Sequence, residues 1–144
     1  MHQVKSQVRT SLAVGFAGGE LPLGLQPFVG KAHRSIAAAK SFPYEDSQFE
    51  VVMMEAGAVD AASVREAHRV LRPDGRLMFT VPEKTRRQEG FTLPGVYRIL
   101  REGFNIVEVE RPPWWLFGRH GRTISICARK KNWRAQTNVY RPYT

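Results

Sequence analysis

The stretch Val64–Pro82, VREAHRVLRPDGRLMFTVP, decides how the chain is read. Val64, Ala67, His68 and Leu71 recur at spacings of three and four, which sets them on one face of a helix. Glu66 and Arg69 fall on the other side, close enough to pair weakly. Pro73 forbids further helix, and Asp74-Gly75 supplies a turn. Leu77 to Val81 is then a short apolar run closed by Pro82. A strand covered by helices on both faces has this composition. The stretch therefore predicts a helix and a buried strand of an α/β domain.

Upstream, Phe49–Met54 (FEVVMM) predicts another strand, and Asp60 caps the helix that begins near Ala61. Glu55 to Asp60 follows that strand, at the end where open α/β sheets place their ligands. Leu12 to Gly15 reads as a short buried strand. The segment GFAGGELPLGLQPFVG comes next, with five glycines and two prolines. Glycine-rich turns after a strand let backbone approach a ligand, and they are equally just turns; both readings stand. Arg34 to Ala39 fits a short strand or one helical turn, and SFPYEDS is a loop.

Downstream, EKTRRQEG is a charged connection. Thr92 caps a second helix, with Pro94 in its first turn and Val96, Ile99 and Leu100 on its apolar side; Gly103 ends it. Phe104 to Val109 alternates imperfectly and predicts a strand. Arg122 to Ala128 predicts the last one, with the loop PPWWLFGRHG between them.

Length and composition bound the rest. The 144 residues make about one domain, 42% of them hydrophobic, enough for a core. No apolar stretch approaches the ~20 residues of a membrane span. The start carries no secretory pattern, which favours a cytoplasmic location. Its first ten residues, with Lys5 and Arg9 and no acid, are also compatible with an organellar leader. One cysteine, Cys127, excludes an intrachain disulfide and a Cys-rich metal site, and it reads as a small buried hydrophobe. His33, His120 and Asp60 form no metal-ligand spacing, so no metal is expected. His68 reads as a helix histidine packed against the sheet.

Charge is uneven. Residues 1–72 hold eight Lys/Arg against seven Asp/Glu, and residues 73–144 hold fourteen against six. A positive field of that kind attracts polyanions; its plainer role is solubility. Trp114, Trp115 and Phe117 stand among Arg111, Arg119, His120 and Arg122, and Lys130 and Lys131 open a basic aromatic tail. Trp114, Trp115, Phe117, Arg119, Lys130 and Lys131 are the candidate partner-binding residues. The aromatic loop could stack on bases, insert into a partner, lie at a membrane interface, or fold back as a small core of its own.

Two phrases carry a family resemblance. Phe42-Pro43-Tyr44-Glu45-Asp46-Ser47-Gln48-Phe49-Glu50-Val51-Val52 is similar to an "LPF, polar residues, FD, apolar strand" phrase. Glu66 to Pro82 is similar to "EAHRVLRPGGRLLFTVP". Together, at this spacing, they resemble the C-terminal two-thirds of a class I S-adenosylmethionine-dependent methyltransferase, of the small-molecule or ubiquinone/menaquinone-type branch. The resemblance covers residues 41–129. It implies a seven-stranded Rossmann-like sheet, mostly parallel with a reversed last strand, here truncated. It implies a methyltransferase-like domain over 1–129, with a reduced cofactor-binding half at 10–40 and the tail at 130–144.

The resemblance also places the S-adenosylmethionine contacts on Gly15, Ala17, Gly19, Ala39 and Glu55, with Glu55 as a candidate general base against a solvated loop acid. Departures from the family cluster in the same place. Ala17 replaces the middle glycine, Ala13 stands where many members carry an acid, and Ala38-Ala39 replaces an Asp-Ala pair at the adenine. Only 22 residues separate Gly19 from Phe42, too few for a helix, two strands and two crossovers. No acid lies between Glu20 and Glu45 to hold the ribose. Two functions follow as expectations: a methyltransferase of unknown acceptor, or an inactive methyltransferase-like module that binds RNA, a ribonucleoprotein or a protein. A homodimer, or pairing with a complete methyltransferase, would cover the shortened sheet.

Overall fold

A computed structural model describes residues 8–16, 21–111 and 121–131. Six strands form one sheet: β1 (Thr10–Val14), β2 (Ala32–Ile36), β3 (Phe49–Met54), β4 (Leu71–Pro82), β5 (Phe104–Glu110) and β6 (Thr123–Lys130), in the order β2-β1-β3-β4-β6-β5. Strands β1 to β4 run parallel, and β6 runs antiparallel to both β4 and β5. The expected mostly parallel Rossmann-like sheet with a reversed last strand is the observed one, with six strands described. The basic residue Lys130 is part of β6.

Helix α1 (Ala61–Val70) and helix α2 (Leu93–Leu100) form where the caps predict them. Asp60 accepts from the Ser63 N–H at 2.8 Å and Thr92 from the Gly95 N–H at 3.1 Å, each satisfying an amide the helix leaves open. Val64, Ala67 and Val70 of α1, with Val96 and Leu100 of α2, pack on one sheet face. There they meet Leu12, Val14, Val52, Met54, Leu77, Phe79, Val81, Ile124 and Ile126. Alternation puts Ser11, Ala13, Val51 and Met53 on the opposite face. Gly30, on the β1–β2 connection, reaches that face, donating its N–H to Ser11 Oγ at 2.8 Å. A right-handed β1–β2 crossover requires this side, since β2 and β4 lie on opposite sides of the β1–β3 pair.

Two local readings change. The Pro73-Asp74-Gly75 turn is a bulge inside β4: Phe49 pairs with Leu71 and Val51 with Arg76, and Asp74 takes a φ of 65°. The imperfect alternation of β5 is a bulge too, between Ile106 and Glu108, which leaves Val107 exposed.

His68 lies edge-on to Phe104, ring centroids 5.5 Å apart, beneath the end of β6. Burial, and then the charge of Lys130, hold its pKa below the ordinary 6.5. His33 is lowered by burial as well. A lowered folded pKa means the unfolded chain binds more protons, so stability falls as pH drops below 6.5 toward the folded values. Urea midpoints measured from pH 8 to pH 5 should decline in the wild type, and less steeply in His68→Phe.

Candidate cofactor site

Parallel strands bring the C-terminal ends of β1, β2 and β3 side by side, and Gly15, Ala38 and Glu55 meet there. Gly15 ends β1 with a φ of 90°, a conformation side chains resist. Its N–H donates to the Ile36 carbonyl at 2.9 Å, and the Glu55 N–H donates to the Val14 carbonyl at 2.9 Å. A Cβ on Gly15 would stand 3.0 Å from that of Ala58, 3.4 Å from that of Glu55 and 3.9 Å from that of Ala38. Gly15 is thus the point at which three strand ends touch. Ala39 lies one residue beyond Ala38, its carbonyl accepting from Ser63 Oγ at 3.0 Å.

Glu55 takes a different part from a free base. Its carboxylate accepts from the Gly57 N–H at 2.8 Å and caps the short 3-10 turn Ala56–Ala58. Among the described residues, the ends of β1 and β2 carry no carboxylate: Phe16 follows Gly15, and Ala37-Ala38-Ala39 follow Ile36, with Glu45 and Asp46 farther along the loop to β3. Ala13 is fully buried. The donor set therefore fits an S-adenosyl ligand only through main chain at Gly15 and Ala38–Ala39, with Glu55 alongside. Ala17 and Gly19 lie outside the described residues, as do Trp114, Trp115, Phe117 and Arg119. Among the described residues no group of three or more His, Cys, Asp or Glu could hold a metal, and no helix is long and apolar enough to cross a membrane.

Lys130 and Lys131 stand at the other end of the sheet. Lys130 Nζ donates to the Leu71 carbonyl at 2.7 Å, and Lys131 Nζ to the Arg101 carbonyl. Both ammoniums neutralise helix C-terminal carbonyls.

Two fixtures of the fold escaped the reading of the sequence. Arg69 does more than pair weakly with Glu66. Its guanidinium donates to both Glu66 oxygens, to Asp46 Oδ1 and to the Tyr44 and Phe42 carbonyls, all at 2.8–2.9 Å. Glu66 in turn accepts from the Phe42 N–H at 2.8 Å. The whole loop between β2 and β3 is latched to α1. The Arg69 pKa rises, first through the hydrogen bond with Glu66 and next with Asp46; the Glu66 carboxyl is lowered by Arg69. The i,i+3 spacing was visible, but the loop carbonyls that complete the latch lie 25 and 27 residues away.

The second fixture is the charged connection. Gln88 Nε2 donates to the Glu83 and Arg122 carbonyls at 2.7 and 2.8 Å, stitching residues 83–91 to the start of β6. Arg111 pairs with Glu83 at 2.9 Å. No composition signal marks a glutamine as the centre of such a turn.

No family model matches the chain and no curated protein does; its resemblance is to known structures. A candidate methyltransferase from Bacillus halodurans superposes with a TM-score of 0.64 at 17% identity, over 89% of this chain and 96% of that one. The Burkholderia thailandensis 1,6-didemethyltoxoflavin-N1-methyltransferase, solved with 1,6-didemethyltoxoflavin and S-adenosylhomocysteine, gives 0.63 at 20%, over 91% and 75%. The cyclase SpnF gives 0.60 at 16%, over 90% and 79%. The protein has the fold of the S-adenosylmethionine-dependent methyltransferases, a fold that a cyclase also uses.

Arg69→Ala leaves Glu66 half-buried without its partner and frees the loop at Phe42 and Tyr44. It should cost about 2 kcal/mol in urea unfolding, with Arg69→Lys intermediate. Gly15→Val meets both a positive φ and the Ala58 methyl. It should cost about 1–3 kcal/mol by the same assay.

Proposed function

We propose that the protein is a methyltransferase-like protein of the S-adenosylmethionine-dependent class, with an unspecified acceptor and a cofactor site reduced to its main-chain part. The observation that carries this reading is the convergence of Gly15, Ala38–Ala39 and Glu55 at one end of a methyltransferase-type sheet. Gly15 and the two alanines would hold the ligand through backbone groups, and Glu55 keeps the turn after β3 in shape through its hydrogen bond to Gly57. When bound, the cofactor supplies an electrophilic methyl group. What the chain contributes is position, because holding two reactants in line removes much of the entropic barrier.

A second reading has its own support. Carboxylates on the ribose and adenine each make hydrogen bonds of order ~1–3 kcal/mol when desolvated. Among the described residues none stands directly at the end of β1 or β2. An inactive module of the same fold accounts for that absence directly.

Calorimetric titration with S-adenosylhomocysteine, on protein cleared of nucleic acid, separates the two. The reduced site predicts binding with Kd in the range of about 0.1–1 mM, the loss of about two hydrogen bonds from micromolar affinity, abolished in Gly15→Val. Absence of binding up to millimolar ligand overturns the cofactor reading and leaves the inactive module.

A further inference from the structure

The turn at Lys84–Gln88 is built with more care than a connection needs. The Thr85 N–H donates to the Gln88 carbonyl at 3.0 Å, and Thr85 Oγ1 accepts from the Arg87 and Gln88 amides at 3.2 Å each. Its stem is tied by the Lys84 N–H to the Phe91 carbonyl and the Phe91 N–H to the Pro82 carbonyl, both 2.8 Å. Gln88 then ties it to Glu83 and Arg122. Gly121, at a φ of 71°, makes room for that side chain: a Cβ there would stand 2.0 Å from Gln88 Oε1.

What this framework presents is positive charge. Lys84, Arg86 and Arg87 are exposed and make no ion pair among the described residues, and Arg122 is exposed beside them. Tyr97 on α2 is 45% exposed. It stands on the helix that leaves the stem of the turn just after Phe91. The turn follows β4, at the same sheet end as Gly15 and Glu55. Among the described residues the exposed large hydrophobics are Val29, Tyr97 and Val107, and none lies on the turn itself.

We propose that the Lys84–Arg87 turn, with the exposed Tyr97 on the helix that follows it, is a binding surface for single-stranded nucleic acid, the guanidiniums taking backbone phosphates and the tyrosine stacking on a base. Paired guanidiniums suit phosphate oxygens, and stacking on an aromatic face is tolerant of sequence. Holding the backbone on a fixed turn spares the cost of ordering the loop on binding. The surface does not depend on the cofactor reading.

The test is fluorescence anisotropy of the full chain with a labelled single-stranded RNA of about 20 nucleotides, over a range of salt. Arg86→Ala/Arg87→Ala should weaken binding about tenfold or more and flatten the salt slope by about 1.4, the value for two lost phosphate contacts on a single strand. Arg65→Ala/Arg72→Ala removes the same charge from α1 and the opposite sheet end and should change affinity less than about threefold. Tyr97→Ala should weaken binding several-fold with the slope unchanged. Gln88→Ala should weaken it with no change of charge. Arg86→Lys/Arg87→Lys, with thermal melts alongside, guards against misfolding and should retain most of the affinity. Equal losses in the two double alanine variants would overturn the proposal, as would no binding at low salt. Displacement of the RNA by inorganic pyrophosphate at equal phosphate concentration would also overturn it, in favour of a small phosphorylated ligand.

Discussion

The structure depends on how β1 is held between β2 and β3. The connection from β1 to β2 is confined to residues 15–31, and its described helical part is the six-residue 3-10 helix Leu23–Phe28, with Pro27 inside it. Parallel pairing needs a crossover, and a short one leaves little to cover the sheet. Here the join is made by polar contacts. Gly30 donates to the buried Ser11, whose hydroxyl also meets His33 Nδ1 at 2.6 Å. The Ala32 N–H donates to the Arg9 carbonyl at 2.8 Å and the Gly15 N–H to Ile36. With one strand, β2, where the resemblance implied two, the strand just before the LPF-like phrase pairs directly with β1.

That economy explains the character of the ligand end. A second strand would have brought a further set of side chains to the site, the ribose acid among them. The described ends of β1 and β2 offer glycine, phenylalanine and alanines instead. Glu55 remains, with one carboxylate oxygen accepting from Gly57 and shaping the turn that packs Ala58 under Gly15. The strand ends of a Rossmann-type sheet are therefore kept, and among the described residues Glu55 is the carboxylate that stands beside them. The fold alone would be equally at home in a transferase or a cyclase.

Much of this was legible in the chain because it rests on local physics. Asp60, Thr92 and Pro94 mark helix starts by chemistry that needs no tertiary context, and the apolar runs at 49–54 and 77–81 had to be buried strands. The uncertain stretch 34–39 resolved toward a strand because edge pairing with β1 supplied what alternation could not. Glu55 was placed correctly at a strand end, but its commitment to Gly57 is a matter of rotamer, which no pattern encodes. The Arg69 latch and the Gln88 stitch stayed hidden because most of their acceptors are backbone carbonyls. A carbonyl has no letter in the sequence, so a side chain that serves distant main chain looks like any other surface residue.

The same point separates the two sets of basic residues. By composition, Lys130 and Lys131 resemble Lys84, Arg86 and Arg87. The first two direct their ammoniums into carbonyls at the ends of α1 and α2, where helix dipoles have already created the demand for positive charge. The others stand on a turn whose hydrogen bonds run through backbone, Thr85 and Gln88, and among the described residues their charge enters no ion pair. Charge that meets a helix end is accounted for by stability. Charge held out on a stitched turn asks for a different account, and the proposed nucleic-acid surface is one.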